Sequence, residues 1–95
     1  MSAAARRTLR ILKALSGHTH NGLSVSELAK SVQESATNTC RSLEDLVSEG
    51  LVIKQDSGRY THSTTFTQIA QAFHKDHERA RARLDEMHLR STRTI

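Results

Sequence analysis

The sequence has few residues that build large cores or covalent cross-links: there is no tryptophan, and there are three aromatic residues and one cysteine among 95 residues. One cysteine excludes an intramolecular disulfide and any zinc site made of several cysteines, and it agrees with a reducing, cytoplasmic setting. The core must therefore consist mostly of leucine, valine, isoleucine and alanine, as in small helical domains. We expect Cys40 to act as a small buried hydrophobe rather than as a nucleophile.

The chain also lacks the segments and motifs that mark membrane proteins and enzymes. No apolar run is long enough to span a membrane, and there is no signal-peptide pattern. A glycine-rich phosphate loop, a pair of catalytic carboxylates and a Ser-His-Asp arrangement are all missing. A domain of 95 residues has little room for a deep cleft. We therefore predict a cytoplasmic protein with no membrane contact, no cofactor and no enzymatic activity.

Six histidines suggest a metal site, but their positions do not support one. His18 and His20 share a predicted loop, and His74 and His77 lie one helical turn apart. A zinc site needs three or four converging ligands, and neither pair has an obvious third. We predict that the histidines are exposed and that no metal is bound.

Basic residues outnumber acidic ones, with 14 lysines and arginines against 10 aspartates and glutamates, which gives a net charge of +4. An excess of this sign favours a polyanionic partner. The basic residues also cluster, four in the first predicted helix and five near the C-terminus. These residues are Arg6, Arg7, Arg10 and Lys13, followed by Arg79, Arg81, Arg83, Arg90 and Arg93.

Helical spacing of apolar residues and capping signals predict three helices in the first half of the chain. Gly17 ends the first helix and Gly50 the third, and Ser24 with Glu27 matches a capping box at the start of the second. The predicted helices are Ala3 to about Ser16, Ser24 to Val32 or Gln33, and about Ser35 to Gly50, with a loop at 17–22 and a very short strand at Leu23.

A short hairpin and a long helix follow. Leu51 to about Gln55 is predicted to be a strand, 56–58 a turn and Arg59 to His62 the return strand. No glycine or proline occurs from Thr64 to Arg90, which predicts one long helix. Helix, tight connection, helix and hairpin is the order of a winged helix-turn-helix. The predicted fold is mainly α with a small β-hairpin: a winged helix-turn-helix domain over residues 1–63 and a C-terminal helix over residues 64–95.

The third helix has the two faces that a DNA-reading helix needs. Its predicted core face consists of Thr39, Leu43, Leu46 and Val47. On the outer face, Asn38 and Arg41 lie three residues apart, and these side chains can pair bidentately with adenine and guanine. We predict a recognition helix at about residues 35–49 in the major groove and a wing at about residues 51–62 on the DNA backbone. The predicted DNA contacts are Ser35, Thr37, Asn38, Arg41, Ser42, Lys54 and Arg59.

A second interpretation stays open. A polar outer face is what any surface helix has, and Glu44, Asp45 and Glu49 in the second half of this helix would repel phosphate. Winged helices bind proteins as well as DNA, so the fold alone does not decide between them. The alternative is a protein-interaction module on the same fold that binds no DNA.

Several segments together resemble the DNA-binding domain of IclR-type transcription regulators. They are Gly22-Leu-Ser-Val-Ser-Glu-Leu-Ala29, Leu43-x-x-Leu46, Glu49-Gly-Leu-Val52, Gly58-Arg-Tyr60 and the sequence Arg-Ile-Leu-Lys-Ala-Leu at residues 10–15. The resemblance covers about residues 5–75. It implies a bacterial or phage transcription regulator that binds double-stranded DNA with sequence specificity.

Two features depart from that family. IclR-type domains usually have glycine in the turn between the two helices and an apolar residue after it, whereas this chain has Gln33 and Glu34. The sequence therefore leaves the turn geometry and the register of the recognition helix open. Full-length regulators of this type also have a C-terminal effector-binding domain, and this sequence ends without one. We expect a compact regulator, as phages or mobile elements encode, or a shortened form of a longer one, with no evident small-molecule effector site.

The predicted C-terminal helix has an apolar stripe with spacings of three or four residues: Phe66, Ile69, Phe73, His77, Ala80, Leu84 and Met87. The part through Phe73 can pack on the winged domain. The part beyond Ala80 lies too far along a helix that rises about 1.5 Å per residue for a small domain to cover it. A partner helix would cover it, which predicts a homodimer through this helix. The alternative is a frayed, exposed tail.

Overall fold

The computed structural model describes residues 1–93, and it has the element order of a winged helix-turn-helix. The elements are α1 (Ala3–Ala14), α2 (Val25–Val32), α3 (Ala36–Ser48), β1 (Val52–Lys54), β2 (Tyr60–His62) and α4 (Thr64–Arg93). The predicted fold is confirmed, because helices dominate and one antiparallel hairpin follows α3. Of the helices in this described range, none is both long enough and apolar enough to cross a membrane.

Serine hydroxyls start the first three helices. Ser2, Ser24 and Ser35 each accept a hydrogen bond from the backbone N–H three residues later, which satisfies one of the donors that a helix start leaves free. At α2, the carboxylate of Glu27 also accepts the backbone N–H of Ser24 at 3.0 Å. The predicted capping box is therefore confirmed.

The turn between α2 and α3 closes without the usual glycine. Gln33 has φ 57° and ψ 50°, and it is the single non-glycine residue with a positive φ in the described chain. Its N–H donates to the carbonyls of Ala29 and Lys30, and the N–H of Glu34 donates to the Ala29 carbonyl at 2.9 Å. Gln33 thus takes the left-handed conformation that favours glycine, at a cost of about 1 kcal/mol. The sequence left the geometry of this turn and the register of the recognition helix open. In the structure, α3 begins at Ala36.

The core lies between the first three helices and the hairpin. It contains Ile11, Leu15, Leu23, Leu28, Val32, Leu43, Leu46, Val52 and Tyr60. Val47 was predicted to join this core, but it is 40% exposed and that prediction was wrong. Ser42 is buried instead, since α3 turns positions 39, 42, 43 and 46 inward, a spacing that follows the helical repeat.

The hairpin is short and is extended by one further backbone pair. Val52 pairs with His62 and Lys54 with Tyr60, and the turn at 56–58 lies where the sequence predicts it. Leu23 forms an isolated bridge with Tyr60, and their backbones exchange hydrogen bonds of 3.0 and 2.9 Å. The loop before α2 is therefore fixed to the wing.

A single residue, Ser63, connects β2 to α4. Its N–H donates to the Leu51 carbonyl at 2.9 Å, and its hydroxyl donates to the Gly50 carbonyl. The same hydroxyl oxygen accepts the N–H of Phe66 at 3.4 Å, so Ser63 also caps the new helix. Hydrogen bonds from the backbone and the hydroxyl of Ser63 therefore hold the start of α4 against the end of α3 and the start of β1.

After its first turn, α4 leaves the domain. The ring of Phe66 stacks on His62 with ring centroids 4.1 Å apart. Ile69 and Phe73 are 57% and 72% exposed, so the expectation that α4 packs on the domain through Phe73 was wrong. Thirty residues at 1.5 Å per residue make α4 about 45 Å long, and the molecule extends 65 Å in its longest direction.

Candidate nucleic-acid interface

The start of α3 is open to solvent. Ser35 caps the helix by accepting the N–H of Asn38 at 3.1 Å, and Ser35, Ala36 and Thr37 are all exposed. The first backbone N–H groups of a helix carry the positive end of its dipole, which favours a bound anion such as a phosphate. Ser35 and Thr37 therefore lie where a DNA backbone could meet them.

Asn38 and Arg41 lie one helical turn apart, next to this open end. Arg41 is exposed and Asn38 is half-buried, whereas Thr39 is fully buried and donates its hydroxyl to the Ser35 carbonyl at 2.8 Å. Within the described residues, Arg41 forms no ion pair. Its guanidinium is thus available to a guanine edge, and the amide of Asn38 to an adenine edge.

Ser42 is not part of this surface, and its prediction as a DNA contact was wrong. Its side chain is fully buried. Ser42 Oγ accepts a hydrogen bond from Arg7 Nε at 2.8 Å and is hydrogen-bonded to the hydroxyl of Thr8 at 2.9 Å. The serine therefore joins α3 to α1, and its hydroxyl has no free path to a ligand.

The guanidinium of Arg59 contacts other segments of the protein. Its Nε donates to the Asn21 carbonyl at 2.9 Å and its Nη2 to the Gly22 carbonyl at 3.0 Å. Nη2 also lies 2.9 Å from Oε1 of Glu27. Three partners on the loop and on α2 engage this guanidinium, so Arg59 has structural contacts that the sequence did not predict; its role as a contact to the DNA backbone stays a prediction.

Glu27 completes this cluster. The pKa of Glu27 lies below its usual value. The largest cause is the hydrogen bond from the backbone N–H of Ser24, and the Ser24 hydroxyl and the charge of Arg59 lower the pKa further. The carboxylate is therefore ionised at neutral pH, and it neutralises the charge of Arg59 next to the wing.

Lys54 lies across a groove from the second half of α3. The groove has a volume of about 400 Å³ and is lined by Glu44, Val47, Ser48, Lys54 and Tyr60. The ammonium of Lys54 lies 6.0 Å from the centre of the Tyr60 ring, within the range of a cation–π contact. Lys54 is exposed and remains free to meet a phosphate beside the wing.

Two arginines of α1 have contacts that local sequence patterns do not reveal. Arg7 reaches Ser42 on α3, and Arg10 Nη2 donates to the carbonyl of Val32, the last residue of α2, at 2.7 Å. The basic cluster was visible in the sequence, but its partners lie 22 and 35 residues away. No group of three or more metal-ligating side chains comes together among residues that the structure describes.

The fold and this interface define the class of protein as a winged helix-turn-helix, with an exposed second helix, α3, and a short wing. The IclR helix-turn-helix domain matches residues 4–56, which is more than half of the chain. The chain belongs to the IclR helix-turn-helix family. A comparison with curated protein sequences gives no significant match.

Solved structures show the same architecture. HmgR of Pseudomonas aeruginosa is 25% identical with a TM-score of 0.66, and the match covers 75% of this chain and 29% of HmgR. An IclR homolog from Microbacterium sp. strain HM58-2 is 13% identical with a TM-score of 0.64, over the same shares of the two chains. A MarR family transcriptional regulator from Silicibacter pomeroyi DSS is 23% identical with a TM-score of 0.52, over 78% of this chain and 54% of that one. This chain thus spans about a third to a half of the length of these proteins.

Proposed function

We propose that this protein is a transcription regulator that binds double-stranded DNA with sequence specificity, without enzymatic activity, and acts in the cytoplasm. The observation that carries the proposal is the exposed first half of α3, which offers Thr37, Asn38 and Arg41 in a member of the IclR helix-turn-helix family. In this arrangement α3 enters the major groove with its first turns, and the wing lies along the backbone.

Selection of bound sequences from a random duplex pool, followed by substitutions in α3, tests the proposal. On the selected site, Asn38→Ala and Arg41→Ala should each weaken binding by about 1–3 kcal/mol, which is about 5- to 150-fold in affinity. On random DNA the loss should be much smaller, because base contacts carry the discrimination. Ser48→Ala, an exposed change in the last turn of the same helix, is the matched control.

Each outcome has a definite reading. Equal losses of affinity for selected and random DNA would show that Asn38 and Arg41 contact the DNA backbone rather than the bases. No loss on either duplex would place the reading face elsewhere. A chain that binds no duplex even at low salt would refute DNA binding and favour the protein-interaction module.

We further propose that α4 forms a homodimer with a second copy of the same helix. Ile69, Phe73, Leu84 and Met87 are 57%, 72%, 66% and 63% exposed and follow one another along the helix at intervals that keep them on one side. Fully burying such a side chain contributes about 1.5–3 kcal/mol, so a partner helix would gain several kcal/mol from this stripe. A two-fold pair would also present two copies of α3 to a palindromic site.

Light scattering at high micromolar concentration tests this assembly. The full chain should have the mass of a dimer, and a chain cut after Lys75 should be a monomer or a weaker dimer. Leu84→Gln should weaken the dimer in the same way, whereas Ala82→Gln, two residues away and off the stripe, should leave it intact. A monomeric full-length chain would refute the homodimer.

A further inference from the structure

The largest segmental excess of positive charge in the protein lies in α1. The chain has no acidic residue before Glu27, and residues 1–26 contain four basic side chains, Arg6, Arg7, Arg10 and Lys13. Residues 27–95 have ten basic and ten acidic side chains, so the total of +4 equals the charge of α1. Residues 27–63, which form the helix-turn-helix and the wing, have four basic against six acidic side chains, a net charge of −2.

The helix-turn-helix and the wing therefore lack the positive charge that DNA binding requires. Affinity for a duplex depends strongly on lysines and arginines that neutralise phosphates and release counterions. A helix-turn-helix and wing with an acidic balance supply little of this effect, and Arg59 is already engaged with Glu27. The missing positive charge must come from another part of the molecule.

The position of α1 suits that role. Arg6, Arg10 and Lys13 are spaced four and three residues apart, which places them on one side of the helix, and all three are exposed. We call these three residues the basic stripe. Because Arg10 Nη2 donates to the Val32 carbonyl at 2.7 Å, the stripe passes the end of α2, three residues before the Ser35 cap of α3.

The charges of the stripe are not neutralised within the protein. Arg59, Arg79 and Arg90 each have a carboxylate oxygen at 2.9, 2.7 and 2.6 Å. In contrast, none of the α1 cations forms an ion pair with another described residue. The side chains of Arg6 and Lys13 also form no hydrogen bond within the described structure, so the fold gives them no structural task.

We propose that the basic stripe of α1 binds phosphates of the same duplex whose bases α3 reads. The stripe then supplies positive charge that the helix-turn-helix and the wing lack, and α1 combines a core face with a DNA backbone contact. The inference rests on the DNA binding proposed above. It assigns a phosphate-binding role to residues outside the recognition helix and the wing.

The test compares two double variants of equal charge. Arg6→Gln/Lys13→Gln and Lys75→Gln/Arg83→Gln each lower the net charge from +4 to +2, and all four side chains are exposed without an ion pair in the described structure. The affinity of each variant for the selected duplex is measured as a function of salt concentration. Light scattering and thermal unfolding verify that both variants keep the wild-type assembly and fold.

The α1 variant should lower the log–log salt slope by about 1.8 per bound subunit, because each neutralised phosphate contributes about 0.9. Between 50 and 200 mM salt, the variant should then lose about tenfold less affinity per bound subunit than the wild type. The α4 variant should keep a slope close to that of the wild type. Arg6→Lys/Lys13→Arg, which keeps both charges, should also keep the wild-type slope.

Three results would overturn or separate the proposals. An α1 variant with the wild-type slope would refute phosphate contacts by the stripe while leaving DNA binding by α3 intact. Equal reductions in the α1 and α4 variants would show that net charge matters and its location does not. A wild-type chain that binds no duplex at low salt would refute the proposed function itself.

Discussion

Replacement of Arg59 by alanine distinguishes a structural role from a DNA contact. The guanidinium donates to the carbonyls of Asn21 and Gly22 and lies 2.9 Å from Glu27. These partners belong to the loop that enters α2 and to α2 itself, whereas Arg59 follows the turn of the wing. The substitution therefore removes three contacts between segments far apart in the sequence.

The expected loss of stability follows from these contacts. A hydrogen bond contributes about 0.5–1.5 kcal/mol net, and a partly exposed ion pair contributes about 0–1 kcal/mol. Because the side chain of Arg59 is 37% exposed, we expect a total near the lower end, about 1–2 kcal/mol. For a domain of this size the midpoint of thermal unfolding should fall by about 4–16 °C.

Thermal unfolding and salt-dependent duplex binding are measured on the same variant, with Lys54→Ala as the control on the wing. Lys54→Ala should change the unfolding midpoint little, because the side chain is exposed and its ammonium lies 6.0 Å from the centre of the Tyr60 ring, at the far limit of a cation–π contact. If Arg59→Ala keeps the wild-type midpoint but lowers the salt slope by about 0.9, Arg59 is a phosphate contact and the structural role is refuted.

Three further predictions concern local features of the fold. Gln33→Gly should relieve the left-handed strain of about 1 kcal/mol and raise the unfolding midpoint by about 4–8 °C, and a lower midpoint would show that the glutamine side chain stabilises the turn. Gly22→Ala should destabilise the domain by about 2–3 kcal/mol, since Gly22 has φ +69° and a Cβ there would lie 2.5 Å from the Tyr60 carbonyl oxygen; wild-type stability in denaturant would contradict this. Because the pKa of Glu27 is lowered on folding from 4.5, its contribution is complete above that value and is lost as the pH falls through the lower folded-state pKa. Glu27→Gln should therefore remove part of the acid dependence of stability, and identical acid unfolding curves for the variant and the wild type would exclude this contribution.

Sequence patterns that span about one helical turn predicted the ends of helices and the turn of the hairpin. Ser24 and Glu27 predicted the start of α2 because a capping box needs only a hydroxyl and a carboxylate three residues apart. Gly50 and the turn at 56–58 were equally local. The order of elements followed from such signals, and the fold could therefore be predicted although several element ends shifted by one to three residues.

The predictions that were wrong depended on partners far along the chain. Residue type favoured Val47 for the core and Ser42 for the surface, yet α3 buries Ser42 because Arg7 and Thr8, about 35 residues earlier, satisfy its hydroxyl. The structural contacts of Arg59 were missed for the same reason, since its partners lie 32 to 38 residues earlier. Burial of a polar group is favourable only when such partners exist, and no local pattern reveals them.

The connection at Ser63 has a mechanical consequence. One residue separates β2 from a helix about 45 Å long, and its hydrogen bonds reach the backbones of Gly50 and Leu51. Because no loop separates α4 from β2, a change in the direction of α4 is transmitted directly to the junction of α3 and the wing. If the proposed DNA binding holds, a partner that fixes the direction of the far end of α4 also fixes the angle at which α3 and the wing meet a duplex.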